Sequence, residues 1–419
     1  MQEIKGQYAS AKIYADVVEQ TALDQIQTLC DQPFAEGSHI AVMPDVHAGV
    51  GCTIGTTMTI DPMNGKVCPN LVGVDIGCGM SVTELGNIDI DFSELDRVVH
   101  KMIPSGRNAH SDNVLVPYPV WENTLLEDTR QTVMRYLTEL NTPININYEL
   151  DRLGTLGSGN HYIEIDKDEE GNKYLVIHSG SRHLGVSVCS YFMDVANAER
   201  IGSKERHDKE KKELITRLKA EGRSQDIASA LIAFDQGFVP SESSALAYVE
   251  KDNLLRYLND MKIAQWFAQD NRDLMTNIIC AAMNWTPVNH WETVHNYIDI
   301  GHGILRKGSI SLRQGERALI PVSMKDGALI VKGKGNPDYN YSGPHGAGRL
   351  LSRTEAKRSI SLKDFEESMK GIYTTSVSED TLDESAFAYK RLEDILPSLE
   401  PTAEIEKRLV PVYNFKAGE

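Results

Sequence analysis

The feature that most constrains this chain is a glycine-rich stretch at residues 71–80, which reads LVGVDIGCGM. An apolar run breaks there into three closely spaced glycines, with Asp75 and Cys78 between them. Glycine at that density costs too much backbone entropy for the interior of a helix. We therefore expect a buried strand over 71–74, followed by a tight loop that carries both polar side chains.

Asp75 and Cys78 admit two interpretations. A carboxylate oxygen and a thiolate in one loop suit a metal ion, and a thiolate can bridge two ions. Alternatively, Asp75 is a turn former and Cys78 a small buried thiol. The stretch alone leaves these interpretations about even, so further ligands elsewhere in the chain must decide.

Length and composition indicate a globular protein. The 419 residues exceed the usual size of one domain, but a single large α+β enzyme domain accommodates them. No apolar run approaches the roughly 20 residues that span a bilayer, and the first residues lack the apolar centre of a signal peptide. The six cysteines are scattered without paired spacings. We expect a cytoplasmic, reducing setting and no contact with a membrane.

The formal net charge of -17 argues against a general nucleic-acid coat, because neutralising phosphates drives non-specific binding. A local basic groove remains compatible with it. The acidic excess lies largely in stretches such as DKDEEGNK, from Asp166, and SEDTLDES, from Ser378. We expect both stretches to form solvated loops.

Hydrophobic periodicity predicts a mixture of helices and strands. Strands joined by glycine turns are expected over 38–60, 160–165, 174–177 and 304–335. Helices are expected over 14–30, 92–103, 121–140, 244–284 and 362–372, and a charged helical hairpin around 191–236. No internal repeat or low-complexity linker divides the chain, which favours one compact domain.

Three histidines stand at places where polar side chains serve a site. His161 follows LGTLGSGN and enters a predicted strand, next to Asn160, Tyr162 and Glu164. His178 ends a second strand and is followed by Ser181 and Arg182, which fits a metal beside a phosphate. His295 comes with Asn296 out of a loop. A lone histidine at a strand end is more often structural, so only the three histidines taken together indicate a metal site.

His345 is a separate candidate, bracketed by Pro344 and glycines in PHGAGR. We expect a helix from about Ala347, whose free amides favour an anion beside His345. Arg349, Arg353 and Lys357 would then share one helix face as a basic stripe for RNA, although a solvated arginine face is equally compatible.

Asp45 and His47 lie in the glycine-flanked stretch PDVHAGVG. There an ordinary turn is slightly favoured over a site.

Together Asp75, Cys78, His161, His178 and His295 are enough to hold two ions if Cys78 bridges them. Each ion would have three protein ligands and open positions, as expected of catalytic sites. By ligand type alone we expect zinc first, because thiolate and imidazole bind it more tightly than manganese.

The sequence resembles the RtcB family of RNA-splicing ligases. The stretches that carry the resemblance occur in order along nearly the whole chain: MPDVHAGVG, GVDIGCGM, LGSGNHYIEI, IHSGSR, HN, RKGS, PVSM, HGAGR, AYK and the lysine near the end. The resemblance implies one α+β catalytic domain over 1–419, with stacked mixed β-sheets around a dinuclear metal site and flanking helices. It also implies a GTP-dependent ligase with two Mn²⁺ ions. Such an enzyme joins RNA 2′,3′-cyclic phosphate or 3′-phosphate ends to 5′-hydroxyl ends in RNA repair or tRNA splicing.

The resemblance also implies residue roles. Asp75, Cys78 and His161 would hold one ion, and Cys78, His178 and His295 the other. His345 would be the nucleophile that takes up GMP, oriented by Asp45, before GMP passes to the RNA 3′-phosphate. By similarity, Arg182 would bind RNA or a phosphate; for Arg349 and Arg353 the same role is expected from the basic helix face alone. The GTP-binding residues would be Asn160, His161, Tyr162, Glu164, His295, Asn296, Pro321, Val322, Ser323, Met324, His345, Gly346, Ala347, Gly348, Tyr389 and Lys416.

Two departures from the family pattern affect the base contacts. The family's PGSM loop reads PVSM here, with Val322, and a serine that often contacts guanine corresponds to Ala328. Two other functions compete with the ligase. One is a dinuclear metallophosphodiesterase that opens cyclic phosphates without GTP and does not require His345. The other is a non-catalytic RNA-binding relative, disfavoured because every expected ligand and the nucleophile are present.

Overall fold

A computed structural model describes residues 2–110, 124–235 and 244–416 of the chain. In this part the strands are β1 Gln2–Lys5, β2 Ser10–Ile13, β3 Ile40–His47, β4 Ile54–Thr59, β5 Lys66–Val67, β6 Gly79–Gly86, β7 Tyr162–Lys167, β8 Lys173–Ser179, β9 Val249–Glu250, β10 Asn289–Val294, β11 Asn296–Asp299, β12 Ile304–Lys307, β13 Ser309–Ser311, β14 Arg317–Ser323, β15 Gly327–Gly333, β16 Ser342–Pro344 and β17 Ala403–Lys416.

The helices of the described residues alternate with these strands. They are α1 Gln20–Cys30, α2 Phe92–Met102, α3 Thr124–Leu137, α4 Ile146–Leu150, α5 Arg182–Ala220, α6 Ile227–Asp235, α7 Lys251–Ala282, α8 Arg353–Ser359, α9 Leu362–Ser368 and α10 Leu392–Leu399. The expected α+β class is confirmed. None of these helices combines the length and apolarity needed to cross a membrane.

Two large sheets form the body of the fold. One has six strands in the order β1-β2-β3-β4-β12-β11, and the other has seven in the order β10-β6-β8-β7-β17-β15-β14. The β2–β3 pair is parallel, whereas the remaining neighbours in both sheets are antiparallel. The site lies between the sheets.

The largest apolar core packs the sheets against α2, α5 and α7. Helix α2 begins at Phe92 because the Asp91 side chain accepts hydrogen bonds from the backbone N–H groups of Ser93 and Glu94. Helix α7 is buried on one face along its whole length, and this face includes Phe267 and the polar residues Asn271 and Arg272. It therefore supports the sheet from behind.

Two predicted elements differ from the structure. Residues 14–19 are not helical, because Tyr14 donates its backbone N–H to Val42 O and stacks its ring on Tyr339. The expected strand over 71–74 is also absent: a short 3₁₀ helix, Pro69–Leu71, leads into turns, and β6 starts only at Gly79. Tertiary pairing overrode the local pattern at Tyr14. Over 71–74 the chain turns because Val72 and Gly73 donate their backbone N–H groups to Pro69 O and Gly73 has a positive φ.

The charged segment after β8 forms two helices in the described residues. Helix α5 continues to Ala220, and α6 returns along it, with Asp235 accepting from His207 at 2.9 Å and pairing with Lys211. Part of the expected segment, 236–243, lies outside the described residues, as do 121–123 of the helix expected before Leu140.

Candidate metal and nucleotide site

A cavity of about 290 Å³ lies between the two large sheets, and we refer to it below as the cavity. Its wall takes Ile54 from β4, Glu164 from β7 and Lys416 from β17, among others. Strands that are far apart in sequence therefore deliver side chains to one space.

Asp75, Cys78 and His161 form the first cluster of candidate ligands, here named the Asp75 group. The His161 Nε2 atom lies 3.1 Å from Asp75 Oδ2 and 3.5 Å from Cys78 Sγ. The other ring nitrogen, Nδ1, faces Leu156 O at 2.8 Å, which fixes the ring orientation. Gly180 is required here, because a Cβ at that position would lie 2.0 Å from Asp75 Oδ1.

Cys78, His178 and His295 form the second cluster, the His295 group. Cys78 Sγ lies 3.3 Å from His178 Nε2, and the ligand atoms of each group lie within 4.8 Å of one another. Because Cys78 belongs to both groups, its thiolate is placed to bridge two ions. His295 Nδ1 is buried without a hydrogen-bond partner among the described residues.

The donor set fits a pair of divalent transition-metal ions. An unpartnered imidazole nitrogen in a buried site is costly unless a ligand satisfies it. Thiolate and imidazole are ligands for transition metals, and the hydrogen bonds from Nδ1 of His161 and His178 leave Nε2 for an ion. The expected metal ligands thus converge in two groups.

Electrostatics favour the cation-binding forms of His178, His295 and Asp75, but not of Cys78. Burial lowers the pKa of His178 and of His295 well below the usual value, so both imidazoles are neutral. Burial alone would raise the pKa of Asp75, but the hydrogen bond and charge of His161 outweigh it and lower that pKa. Burial and the Asp75 charge raise the pKa of the Cys78 thiol, effects that a bound cation opposes.

Arg272 of α7 ties the two ligand-bearing segments together. Its Nη1 donates to Gly77 O and to Ser179 O, each at 2.8 Å, and each carbonyl belongs to a neighbour of a candidate ligand. The rest of the guanidinium donates to both carboxylate oxygens of Glu292. Arg272 is almost fully buried and was not anticipated from the sequence.

A third cluster of possible ligands includes Glu292, the carboxylate partner of Arg272. Asp273, His290 and Glu292 also lie within 4.8 Å of one another. His290 Nε2 pairs with Asp273 at 2.9 Å, and Glu292 pairs with Arg272. These groups satisfy each other as ion pairs.

His345 faces the cavity and is held by Asp45. Both the backbone N–H and the ring Nδ1–H of His345 donate to Asp45 Oδ2, at 3.0 and 2.7 Å. This arrangement leaves Nε2 with a free lone pair. The His295 ring lies 5.0 Å away, between centroids, so the ring borders the His295 group. This contact is consistent with the expectation that Asp45 orients the His345 ring.

The helix expected from Ala347 is not present. Residues 345–352 form turns, and α8 begins only at Arg353, where the Ser352 side chain caps it. The reason lies in packing, because Gly348 has a positive φ and a Cβ there would lie 3.1 Å from the Asp45 backbone. The loop therefore presents His345 without a helix dipole.

The expected basic stripe is also wrong. Arg349 precedes the helix, and its Nη2 donates to Asp383 O at 2.6 Å. Arg353 and Lys357 both pair with the Asp383 carboxylate. All three side chains are therefore held by a buried acidic pair, and those of Arg353 and Lys357 stay partly exposed.

The acidic pair, Asp383 and Glu384, also contradicts the expectation that SEDTLDES forms a solvated loop. Asp383 and Glu384 belong to SEDTLDES, yet each is 2% exposed and lies in a 3₁₀ helix, Glu379–Glu384. Glu384 accepts from Lys416 Nζ at 2.6 Å and from the Tyr389 hydroxyl at 2.7 Å. Glu384 is part of the cavity wall and residues 381–385 are buried, so only the start of the stretch, Glu379 and Asp380, is solvated. DKDEEGNK likewise buries Asp166 and Asp168.

The residues expected to hold the nucleotide gather around the cavity, His161 excepted. Those that line it are Asn160, Tyr162, Glu164, His295, Asn296, Pro321, Val322, Ser323, Met324, His345, Gly346, Ala347, Gly348, Tyr389 and Lys416. His161 reaches the site through Asp75 and Cys78. Val322 and Ala328, the departures in sequence, are both buried in the neighbouring strands β14 and β15.

Arg182 stands apart from the cavity wall. Its Nε donates to Thr155 Oγ1 at 3.2 Å and its Nη2 to Gly106 O at 3.3 Å. Its backbone has a φ of 56°, an unusual conformation for a residue with a side chain. Its charge acts on Asp75, which places it beside the Asp75 group.

Sequence reasoning missed several residues of the site. Asn414 donates to Glu164 Oε2 at 2.5 Å, and both Glu384 and Asn414 line the cavity. His47 lines it as well, although the sequence slightly favours an ordinary turn there. The alternation of Asn414 with Lys416 in an apolar terminal strand was the one available signal. Nothing local marked Glu384, because its partners are distant in sequence.

Comparison with known proteins identifies the family of this chain. A family model described as tRNA-splicing ligase RtcB matches residues 25–417. The RNA-splicing ligase RtcB of Escherichia coli strain K12 is 32% identical, over 93% of this chain and 92% of its own length. The tRNA-splicing ligase RtcB of Aeropyrum pernix is 27% identical, over 90% of this chain and 87% of its own length. The family match thus spans every element that lines the cavity, and the chain belongs to the RtcB family.

Proposed function

We propose that this protein is an RNA ligase that uses GTP and two Mn²⁺ ions to join RNA 2′,3′-cyclic phosphate or 3′-phosphate ends to 5′-hydroxyl ends. The observation that carries the proposal is the His345–Asp45 pair, which leaves a free imidazole Nε2 beside two groups of metal ligands. We further propose that the chain, residues 1–419, acts as one catalytic domain with α5 and α6 as a charged arm.

His345 would act as a nucleophile toward GTP. Its Nε2 lone pair attacks the α-phosphorus, a phosphorus–nitrogen bond forms, and the bond to the bridging oxygen breaks so that pyrophosphate leaves. Asp45 accepts a hydrogen bond from Nδ1–H without taking the proton, and its negative charge stabilises the positive charge that develops on the ring. Two ions held by the Asp75 and His295 groups would neutralise the reacting phosphates.

The next steps transfer GMP to the RNA 3′-phosphate and then join the two RNA ends. An oxygen of the RNA 3′-phosphate attacks the GMP phosphorus, releases His345 and gives a 3′-phosphate activated by GMP. The 5′-hydroxyl oxygen then attacks the RNA phosphorus, and GMP leaves. A cyclic end must first be opened by water. Arg182, beside the Asp75 group, is placed to hold an RNA phosphate.

Guanine recognition would fall to Glu164. An ionised carboxylate accepts from both the ring N–H and the amino group of guanine, a pair that adenine does not offer. Asn414 already donates to one of its oxygens and leaves its own Oδ1 without a partner in the described structure, which supplies a further acceptor. Arg349 and Arg353 line the same wall and would meet phosphates while paired with Asp383 and Glu384.

The experiment is covalent labelling. We expect the protein incubated with GTP and Mn²⁺ to gain the mass of GMP, and His345→Ala to abolish this gain. His302→Ala is the matched control, since His302 is exposed and pairs with Asp299 away from the cavity. Sealing of paired RNA ends, with GTP against ATP and manganese against zinc, tests the full reaction.

A protein that opens cyclic phosphate ends but never labels with GMP would be a metallophosphodiesterase instead. A protein that binds broken RNA and does neither would be a non-catalytic relative. Both outcomes contradict the proposal.

A further inference from the structure

Two carboxyl groups lie in contact behind the cavity. Glu164 and Asp166 point from β7 to the same face, since they are two residues apart on a strand. They are 3% and 0% exposed, and a hydrogen bond between their side chains is one cause of the raised pKa of Glu164. Glu164 lines the cavity, whereas Asp166 does not.

Asp166 has no other polar partner in the described residues. Both of its carboxylate oxygens are buried without a donor. Its neighbours in the sheet are Pro411, which has no N–H, and Tyr174, whose hydroxyl is used by Asp168 at 3.0 Å. An isolated buried carboxylate is too costly to persist, so this pair must retain a proton.

The groups around the pair decide which carboxyl is ionised when a base is bound. Glu164 receives a hydrogen bond from Asn414, and the charge of Lys416 also favours its ionised form. Asp166 receives neither. The other titratable groups that face the pair are Tyr162 on β7, on which the charges of both carboxylates act, and Tyr174 on β8. Two N–H donors from guanine would stabilise ionised Glu164 further, which leaves the shared proton on Asp166.

We propose that Asp166 is a positioning residue that holds the shared proton, donates it in a hydrogen bond to Glu164, and so keeps Glu164 ionised and oriented to select guanine. This inference rests on the proposed use of GTP. It also explains why the carboxyl of Asp166, which does not line the cavity, lies behind that of Glu164, which would bind guanine.

Two substitutions separate this role from simple packing. Asp166→Asn keeps a donor to Glu164 but removes the acid, and Asp166→Leu keeps volume but removes the donor. We expect Asp166→Leu to raise the KM for GTP in His345 labelling about tenfold or more, the usual effect of losing a hydrogen bond to a charged group. Discrimination between GTP and ITP, which lacks the amino group, should fall as well. Asp166→Asn should restore both.

The pH profile supplies a second measurement. Burial first, and then the negative charge of Asp166, raise the pKa of Glu164. At low pH both carboxyls are protonated and Glu164 no longer accepts from both guanine N–H groups. Asp166 carries that charge only after the shared proton is lost at alkaline pH, so the alkaline fall of kcat/KM for GTP should be weaker in Asp166→Asn, whose amide keeps its donor at every pH.

Infrared spectroscopy tests the pair without any nucleotide. The wild type should show the stretch of a protonated carboxyl at neutral pH, and Asp166→Asn should lose it. Asp168→Asn is the matched control, since Asp168 is also buried but Lys407 and Asn172 help hold its pKa low, so it is ionised.

An unchanged infrared band in Asp166→Asn would overturn the shared proton. Equal GTP kinetics in wild type and Asp166→Leu, or an Asn variant as impaired as the Leu variant, would overturn the positioning role. A wild type that never labels with GMP would remove the proposed function, and with it guanine selection. The infrared comparison would still decide whether the pair holds a proton.

Discussion

The histidines of the cavity differ in which ring nitrogen the protein occupies. In His161, His178 and His345 the Nδ1 atom faces a backbone or carboxylate oxygen, whereas Nδ1 of His295 has no partner in the described structure. A hydrogen bond at one nitrogen fixes the tautomer and leaves the other for a metal or a phosphorus atom. The hydrogen-bond partner of each histidine therefore determines which of its ring nitrogens can bind a metal or attack a phosphorus atom.

Asp45→Asn tests this assignment. The amide can donate to Nδ1 of His345, which would place the ring proton on Nε2 and remove the attacking lone pair. We expect the rate of GMP labelling to fall by about 10²–10⁴-fold with the fold intact, as for a triad that loses its aspartate. Rates from mass spectrometry, with circular dichroism for folding, measure it. Asp61→Asn, in an exposed turn, is the control, and an unaltered rate in Asp45→Asn would contradict the role.

Cys78→Ala tests the bridge. Because Cys78 belongs to both ligand groups, its removal should empty both metal positions and not one. Manganese per chain, measured after dialysis by elemental analysis, should fall from two to none. Cys189→Ala is the control, a buried thiol that contacts Asn70 outside the site. A Cys78→Ala protein that keeps two ions would refute the bridging ligand.

At the scale of elements, the ligands are carried by segments next to strand ends, and helix α7 holds two of these segments in register. The guanidinium of Arg272 contacts the carbonyls of Gly77, before β6, and of Ser179, the last residue of β8. Cys78 and His178 are the adjacent residues. The helix therefore sets the separation between ligands that it does not itself supply.

Arg272→Leu should weaken manganese binding about 10–100-fold, the usual effect of removing an outer partner of a metal ligand. The change also leaves Glu292 without its buried partner, so the free energy of unfolding should fall. Arg272→Lys keeps the charge but cannot span both carbonyls and Glu292, and should recover affinity only in part. Titration calorimetry on the folded proteins measures this effect. Arg391→Leu, which breaks an exposed pair with Asp394, is the control; equal affinities would refute the proposal.

At the scale of the whole molecule, the site joins segments that run from Asp45 to Lys416. Two sheets and the loops between them must be in place before either ligand group exists. Ions that bind only the assembled groups therefore stabilise the entire fold.

Manganese should raise the midpoint of thermal unfolding. At a concentration 100-fold above the dissociation constant, one site contributes about 2.7 kcal/mol. Magnesium should contribute less, because thiolate and imidazole are poor ligands for it. Differential scanning calorimetry of wild type and Cys78→Ala measures the difference. An equal shift in both proteins would place the ion elsewhere.

The sequence by itself determined the α+β class, most of the strands and helices, and the types of residue that converge on the site. These properties follow from local periodicity and from rare residues such as Cys78 and His345 in glycine-rich stretches. It did not determine the loop after His345 or the burial of Asp383 and Glu384. Those depend on Asp45, Arg353 and Lys416, which lie tens to hundreds of residues away. Only the tertiary structure decided which charges face one another, because electrostatic pairing depends on distance in space and not along the chain.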